Sequence, residues 1–281
     1  MKTVLEVVEA TSGYFTRHGV DSPRLNAELL IAHALGKKRL DLYLEFDRPL
    51  GDAELEPARE LIRKRARGTP LQHLLGTVEF YGREFLCDAR ALIPRPETEQ
   101  LVEALLAHEG IPRPAPRIVD VGTGSGVIAL SLAAELPQAE VMAVDVSPEA
   151  LALATENAAR LGLGERVCLL RSDLLSETEG VFDLIVANLP YIAAREIDTL
   201  SREVRHDPRS ALDGGPLGTE IIEALIAQAP ARLRPGGLLA LEIGHDQAAP
   251  LAAALERHNY RDIRSGADYQ GVSRFLFASY G

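Results

Sequence analysis

The chain has no tryptophan, only two cysteines and two methionines, and aromatic residues make up 5% of its 281 positions. Cys87 and Cys168, with no Cys-x-x-Cys, exclude a disulfide scaffold and a cysteine zinc site. A reducing, cytoplasmic setting is the expectation. The seven histidines are scattered singly, without ligand spacing, so no metal centre is expected. No apolar run reaches the roughly 18 residues needed to span a bilayer. The opening Met1-Lys2-Thr3-Val4-Leu5-Glu6 turns acidic too early for a signal peptide. A basic excess is missing too: 30 Lys and Arg stand against 41 Asp and Glu, a formal net charge of −11. Broad nucleic-acid binding needs a basic face, so none is expected. What is present is 46% hydrophobic residues in a length that suits one large or two modest domains.

The most informative stretch is Phe182 to Ile192. Leu184-Ile185-Val186-Ala187 is a β-branched apolar run that suits a strand buried on both faces of a parallel sheet. Pro190 cannot donate a ladder hydrogen bond, so the strand should stop near Asn188. An amide, a bare carbonyl and an aromatic ring then stand at the carboxyl end of a central strand, where open α/β sheets bind ligands.

The pattern predicts helices from the N-terminus to about residue 68. Val4, Leu5, Val8 and Phe15 share one face of the first. Asp21-Ser22-Pro23 starts a second, which Gly36 stops. A short helix follows over Leu40 to Leu44, then one over Ala53 to Ala66. The last ends in Arg63, Lys64, Arg65 and Arg67, which complement its dipole. Val78 to Leu86 alternates around a glycine as a β-hairpin. Pro94-Arg95-Pro96 is a stiff entry to a helix with Glu97 and Glu99 in its first turn. From Arg117 strands and helices alternate, ending with a helix over Thr219 to Leu233, a strand over Gly237 to Ile243, a helix over Ala248 to His258 and two last strands. That alternation means a mostly parallel sheet covered on both faces. The expected domains are a helical substrate-binding domain over 1–72, a hairpin linker over 73–94 and a catalytic domain over 95–281.

Gly122-Thr123-Gly124-Ser125-Gly126 joins a strand to a helix, where glycines permit a tight bend and close approach to a ligand. Its third glycine comes one residue early for the dinucleotide fingerprint. Asp145 closes the next strand and suits ribose hydroxyls. NAD and S-adenosylmethionine both remain open on these features; Asp120, Asp173 and the Asn188 corner favour the latter.

Several strings carry a family resemblance: Pro70-Leu71-Gln72 with Gly76, Glu79 to Gly82, Leu92 to Glu99, Asp120 to Gly126, Asn188 to Tyr191, Ala211 to Gly215, and Leu241 to Gly244. Together they cover nearly the whole chain, which resembles the HemK/PrmC family of protein-(glutamine-N5) methyltransferases that modify peptide-chain release factors. The resemblance implies a class I S-adenosylmethionine-dependent methyltransferase fold: Rossmann-like, with a mostly parallel seven-stranded sheet. It implies S-adenosylmethionine held by Gly122, Thr123, Gly124, Ser125, Gly126, Asp145, Asp173, Leu174 and Asn188. It also implies an acceptor site at Asn188, Leu189, Pro190 and Tyr191, and a release factor as protein partner in translation termination. Two positions depart from the family pattern. Leu189 replaces the usual Pro, keeping the carbonyl but releasing one fixed φ. Leu174 stands where some relatives stack an aromatic on adenine.

A carboxamide nitrogen is a poor nucleophile, so positioning against the sulfonium methyl is the main task. The Asn188 oxygen and the residue-189 carbonyl are expected to accept the two N–H bonds of a glutamine. Tyr191 is expected to pack on the amide plane. The same corner serves adenine amino-group methyltransferases acting on nucleic acid, which need a target-recognition region and a basic face that the net charge of −11 does not favour. A glutamine methyltransferase acting on a ribosomal protein is the other alternative.

Overall fold

Val4, Val7, Val8, Thr11 and Phe15 lie within one helical stripe, and the first helix buries that set. In the computed structural model, which describes residues 2–112 and 114–281, the chain divides into two units. The first runs to Thr77 and adds Ser201–His206; the second comprises Val78–Leu200 and Asp207–Gly281.

In the first unit a two-residue ladder pairs β1 (Lys2–Thr3) with β2 (Pro49–Leu50). Around it lie α1 (Val4–Arg17), α2 (Pro23–Ala34), α3 (Arg39–Leu44), α4 (Asp52–Ala66) and α5 (Leu71–Leu75). Thr3 and Glu6 form a reciprocal capping box at the start of α1. Val7, and not the half-buried Leu5, joins Val4, Val8 and Phe15 in the buried cluster with Leu30 and Ile31. Two-residue strands and a five-residue helix are too short to leave a periodic signature, so β1, β2 and α5 are additions to the expected elements.

The basic run at the end of α4 is not one surface. Arg65 is buried, donating to Asn26 Oδ1 at 2.6 Å, the Thr69 carbonyl at 3.2 Å and Glu203 Oε1 at 2.5 Å. It therefore anchors the Ser201–His206 segment. Arg63 and Lys64 lie near Glu60 on the exposed side.

The hairpin pairs β3 (Thr77–Phe80) with β4 (Arg83–Leu86). Its turn residues Tyr81 and Gly82 are both left-handed, at φ 48° and 70°, the backbone of a type I′ turn. The remaining elements are α6 (Pro96–Ala107), β5 (Arg117–Val121), α7 (Val127–Glu135), β6 (Glu140–Asp145), α8 (Pro148–Arg160), β7 (Val167–Arg171), β8 (Phe182–Ala187), α9 (Glu220–Gln228), β9 (Leu233–Glu242), α10 (Ala248–Arg257), β10 (Tyr260–Ala267) and β11 (Ser273–Tyr280). Seven strands form a sheet in the order β10-β11-β9-β8-β5-β6-β7, with β11 antiparallel to both its neighbours and the other neighbouring pairs parallel.

The helix expected to reach Leu233 ends at Gln228. Pro230 cannot continue the hydrogen-bond ladder, a 3₁₀ turn closes the helix, and Leu233 already pairs with Phe182. Every residue of β8 is buried. Leu184 and Val186 meet helices α6 and α7 on one face, whereas Ile185 and Ala187 meet α9 and α10 on the other. No helix among the described residues is long and apolar enough to cross a membrane.

Candidate active site

Strand order places the site. The chain runs outward from β5 to β6 and β7, then returns to pair β8 on the other side of β5. The carboxyl ends of β5 and β8 are thus a topological switch point, where loops diverge and leave a crevice. Val121 pairs with Ala187, so the glycine turn and the Asn188 corner leave the sheet side by side. Asp145 pairs with Arg171, which brings Asp145 and Asp173 to the same edge.

A cavity of about 430 Å³ opens here, within the range of small-molecule sites. Gly122, Thr123, Gly124, Ser125, Asp145, Asp173, Leu174, Asn188, Leu189 and Pro190 all line it. Gly126 and Tyr191 do not. Gly126, at φ 86°, marks a close helix approach: a Cβ there would lie 3.0 Å from Leu130 Cδ1 and 3.3 Å from Ala154 Cβ. Tyr191 packs with the cluster beneath α9 and α10, and burial raises its phenol pKa.

The glycine turn is held by strand-end acids. Asp145 Oδ2 accepts the Gly124 N–H at 2.8 Å, and its Oδ1 accepts the Ser147 N–H at 2.9 Å. Burial raises the Asp145 pKa, and these N–H groups act against that. Asp120 lies fully buried behind the turn. Its Oδ2 accepts from the Thr123 hydroxyl at 2.6 Å and the Ala129 N–H at 3.2 Å. Oδ1 is buried without a hydrogen bond, and desolvation pushes the acid up to about 7. Asp120 therefore shapes the turn from outside the cavity. The buried Asn157 joins the turn to the hairpin, donating to the Ser125 and Leu86 carbonyls and accepting the Leu86 N–H.

The Asn188 corner is held from behind by residues that local pattern does not assign. Asn188 Nδ2 donates to Thr98 Oγ1 at 3.0 Å, and Thr98 Oγ1 donates to Glu242 Oε2 at 2.7 Å. Thr98 lies in the first turn of α6 and Glu242 closes β9, so two distant strings meet at Asn188. Glu242 is 2% exposed. Burial, then Glu97, pushes its carboxyl up to about 7 against the Thr98 hydrogen bond and Arg274. One signal was available: a lone acid ends the apolar run Leu238 to Leu241, and buried acids need partners. Gln247 is the second such residue. It donates to the Tyr191 and Gly218 carbonyls and accepts the Gly244 N–H. Gly214 packs so closely that a Cβ would lie 2.6 Å from the Pro190 carbonyl oxygen and 2.9 Å from Tyr191 Cα. The segment Ala211 to Gly215 is thus the backing of the corner. Leu189 leans the other way: a Cβ on Gly122 would lie 2.8 Å from its Cδ2. The described residues hold no cluster able to bind a metal ion.

The sheet order, the glycine turn and the strand-end acids define a class I S-adenosylmethionine-dependent methyltransferase. Residues 6–76 match the PrmC N-terminal domain, and residues 96–217 match the methyltransferase small domain. The chain is 43% identical to a release factor glutamine methyltransferase of Chlorobaculum tepidum, over 98% of this chain and 96% of that protein. It is 45% identical to one of Deinococcus radiodurans, over 97% of each. Among solved structures, a T. thermophilus 16S rRNA N2 G1207 methyltransferase, in complex with AdoMet and guanosine, shares the fold. It is 23% identical with a TM-score of 0.53, covering 73% of this chain and 50% of that one. The chain belongs to the release factor glutamine methyltransferase family.

Proposed function

We propose that this chain transfers the methyl group of S-adenosylmethionine to the side-chain amide nitrogen of a glutamine in a Gly-Gly-Gln loop of a peptide-chain release factor. One observation carries the reading. At the switch point, Asn188 has its amide nitrogen tied back to Thr98 while Oδ1 has no protein hydrogen bond among the described residues. A free amide oxygen on the cavity wall is an acceptor for a planar N–H₂ group. The names of relatives matched over nearly their whole length, release factor glutamine methyltransferase, support a release-factor glutamine as the acceptor.

S-adenosylmethionine supplies an electrophilic methyl on a sulfonium. The residues present suit it: backbone around Gly122 to Ser125, acids at Asp145 and Asp173, and apolar Leu174, Val146 and Ile128 around one cavity. Asp145 holds the turn and faces ribose hydroxyls; Leu174 packs on the adenine. Gly126 acts indirectly, by letting α7 and α8 close together behind the turn. Asn188 Oδ1 and the Leu189 carbonyl accept the two N–H bonds of the glutamine, which aims its nitrogen and favours positive charge building on it. Pro190 fixes the exit of that strand, and Tyr191 anchors the corner through its carbonyl. The proton leaves after methyl transfer. A Gly-Gly-Gln loop suits a narrow site because glycines bring no side chains to clash. The helical domain, residues 1–72, receives the release factor in the cytoplasm.

The test is incubation with radiolabelled S-adenosylmethionine and three separate acceptors: release factor, ribosomes and DNA. Label on release factor, located by mass spectrometry on the glutamine of Gly-Gly-Gln, is expected. Label on ribosomal protein or DNA instead would overturn the reading.

A further inference from the structure

We infer that Glu242, acting through the Thr98 hydroxyl, locks the Asn188 side-chain amide in the one orientation that turns its oxygen to the cavity. The inference deepens the functional reading above and rests on it for the identity of the acceptor.

The orientation follows from the number of protons available. The Thr98 hydroxyl has one proton to give. Its oxygen lies 2.7 Å from Glu242 Oε2, and a carboxylate can only accept. The hydroxyl proton is therefore committed to Glu242, and Thr98 meets Asn188 with lone pairs alone. Only the NH₂ end of the Asn188 amide can satisfy those lone pairs, at 3.0 Å. Rotating the amide by half a turn would oppose oxygen to oxygen with no proton between them. Thr98 and Glu242 are both buried, so water cannot rescue that arrangement, and an unpaired buried polar group is costly. Glu242 faces Glu97 and Thr98 of α6, Asn188 after β8, and Arg274 of β11. The Asn188 amide nitrogen meets acceptors on both the Thr98 hydroxyl and Glu242 itself. Glu242 is thus a positioning residue: it touches no substrate and acts by deciding which atom of Asn188 does.

A neutral isostere at 242 no longer fixes the count, because a glutamine offers a donor as well as an acceptor. The glutamine NH₂ of a Glu242→Gln variant can donate to Thr98. That frees the Thr98 proton to meet Asn188 Oδ1 and lets the amide turn its NH₂ to the cavity. A donor would then face the N–H₂ of the acceptor glutamine. Were Glu242 merely a structural acid, the same change would remove a desolvated charge, leaving turnover intact and stability equal or higher.

The experiment compares wild type with Glu242→Gln, Thr98→Val and Thr98→Ser, using radiolabelled S-adenosylmethionine and release factor. Calorimetric S-adenosylmethionine affinity and the thermal midpoint are measured on each. Expected are a kcat loss of about tenfold or more in Glu242→Gln and Thr98→Val, on the scale of one lost preorganised contact. Cofactor affinity should hold within about twofold in both, as Thr98 and Glu242 act on the Asn188 amide rather than the glycine turn. Thr98→Ser keeps the hydroxyl and should recover most of the turnover. Wild-type kcat in Glu242→Gln and Thr98→Val, or a Thr98→Ser as impaired as Thr98→Val, would overturn the inference. If Glu242→Gln does not fold, the Thr98 pair decides. If wild type transfers no methyl to release factor, the functional reading fails by itself. The ¹⁵N NMR signals of the Asn188 side-chain amide then decide the relay: they move in both Glu242→Gln and Thr98→Val if it holds, and stay put if it does not.

Discussion

Gln247 Nε2 lies 2.9 Å from the Tyr191 carbonyl oxygen, joining the start of α10 to the acceptor corner 56 residues earlier in the chain. The same amide reaches the Gly218 carbonyl at 3.0 Å and the Gly244 N–H at 2.8 Å. Three backbone segments are thereby tied by one buried side chain. Gln247→Ala should destabilise the protein by about 1–3 kcal/mol for each buried group left unpaired. Urea unfolding checks this, and a midpoint unchanged from wild type would refute it.

Gly214→Ala tests the backing of the corner. Its Cβ would meet the Pro190 and Gly218 carbonyl oxygens at 2.6 and 2.7 Å. These are backbone atoms, so the corner must move rather than a side chain. A misplacement near 1 Å can cost on the order of 10²-fold in rate. Turnover should fall on that scale while S-adenosylmethionine affinity, measured by calorimetry, changes far less.

Asp145→Ala releases two backbone N–H groups, those of Gly124 and Ser147, from one carboxylate. S-adenosylmethionine binding should weaken by about 1–3 kcal/mol, the scale for charged hydrogen bonds. Calorimetry with S-adenosylmethionine and with NAD checks both parts: the first should bind wild type, and the second should not.

Stability and activity should move oppositely with pH. Burial pushes Asp120 and Glu242 each up to about 7. Both are thus protonated in the folded protein at pH values where the unfolded chain has already lost those protons. Their contribution to stability is fully present below the ordinary carboxylate range and is lost as pH rises through about 7. Turnover needs Glu242 ionised and should rise across that same interval. Urea midpoints and kcat measured from pH 5.5 to 8.5 check the pair of trends, in steps fine enough to place each midpoint to about half a unit. Asp120→Asn should flatten the stability curve.

Much of the fold was legible because strands such as Phe182–Ala187 are apolar throughout and helices such as Pro148–Arg160 carry a clear stripe and a proline start. Periodicity survives wherever burial is one-sided or complete. It failed at Leu5, which lies about 100° round α1 from Val4 and is only half-buried, whereas Val7 on the other flank is buried in the cluster that holds Leu30 and Ile31. It failed at Leu233 because a proline-tightened turn and a strand partner at Phe182 end the helix early.

The site divides in the same way. Gly122, Gly124, Asp145 and Asn188 were legible because each combines a special backbone or polar group with the end of a strand, and strand ends in an open parallel sheet converge. Local sequence determined those ends. It also determined the net charge of −11 and the lack of a membrane-length apolar run. Thr98, Gln247 and Glu242 reach the corner through partners 90, 56 and 144 residues distant along the chain. No local pattern encodes which buried hydroxyl meets which carboxylate. That was decided by the strand order, which sets β8 between β5 and β9 and so brings Asn188 and Glu242 to one end of the sheet.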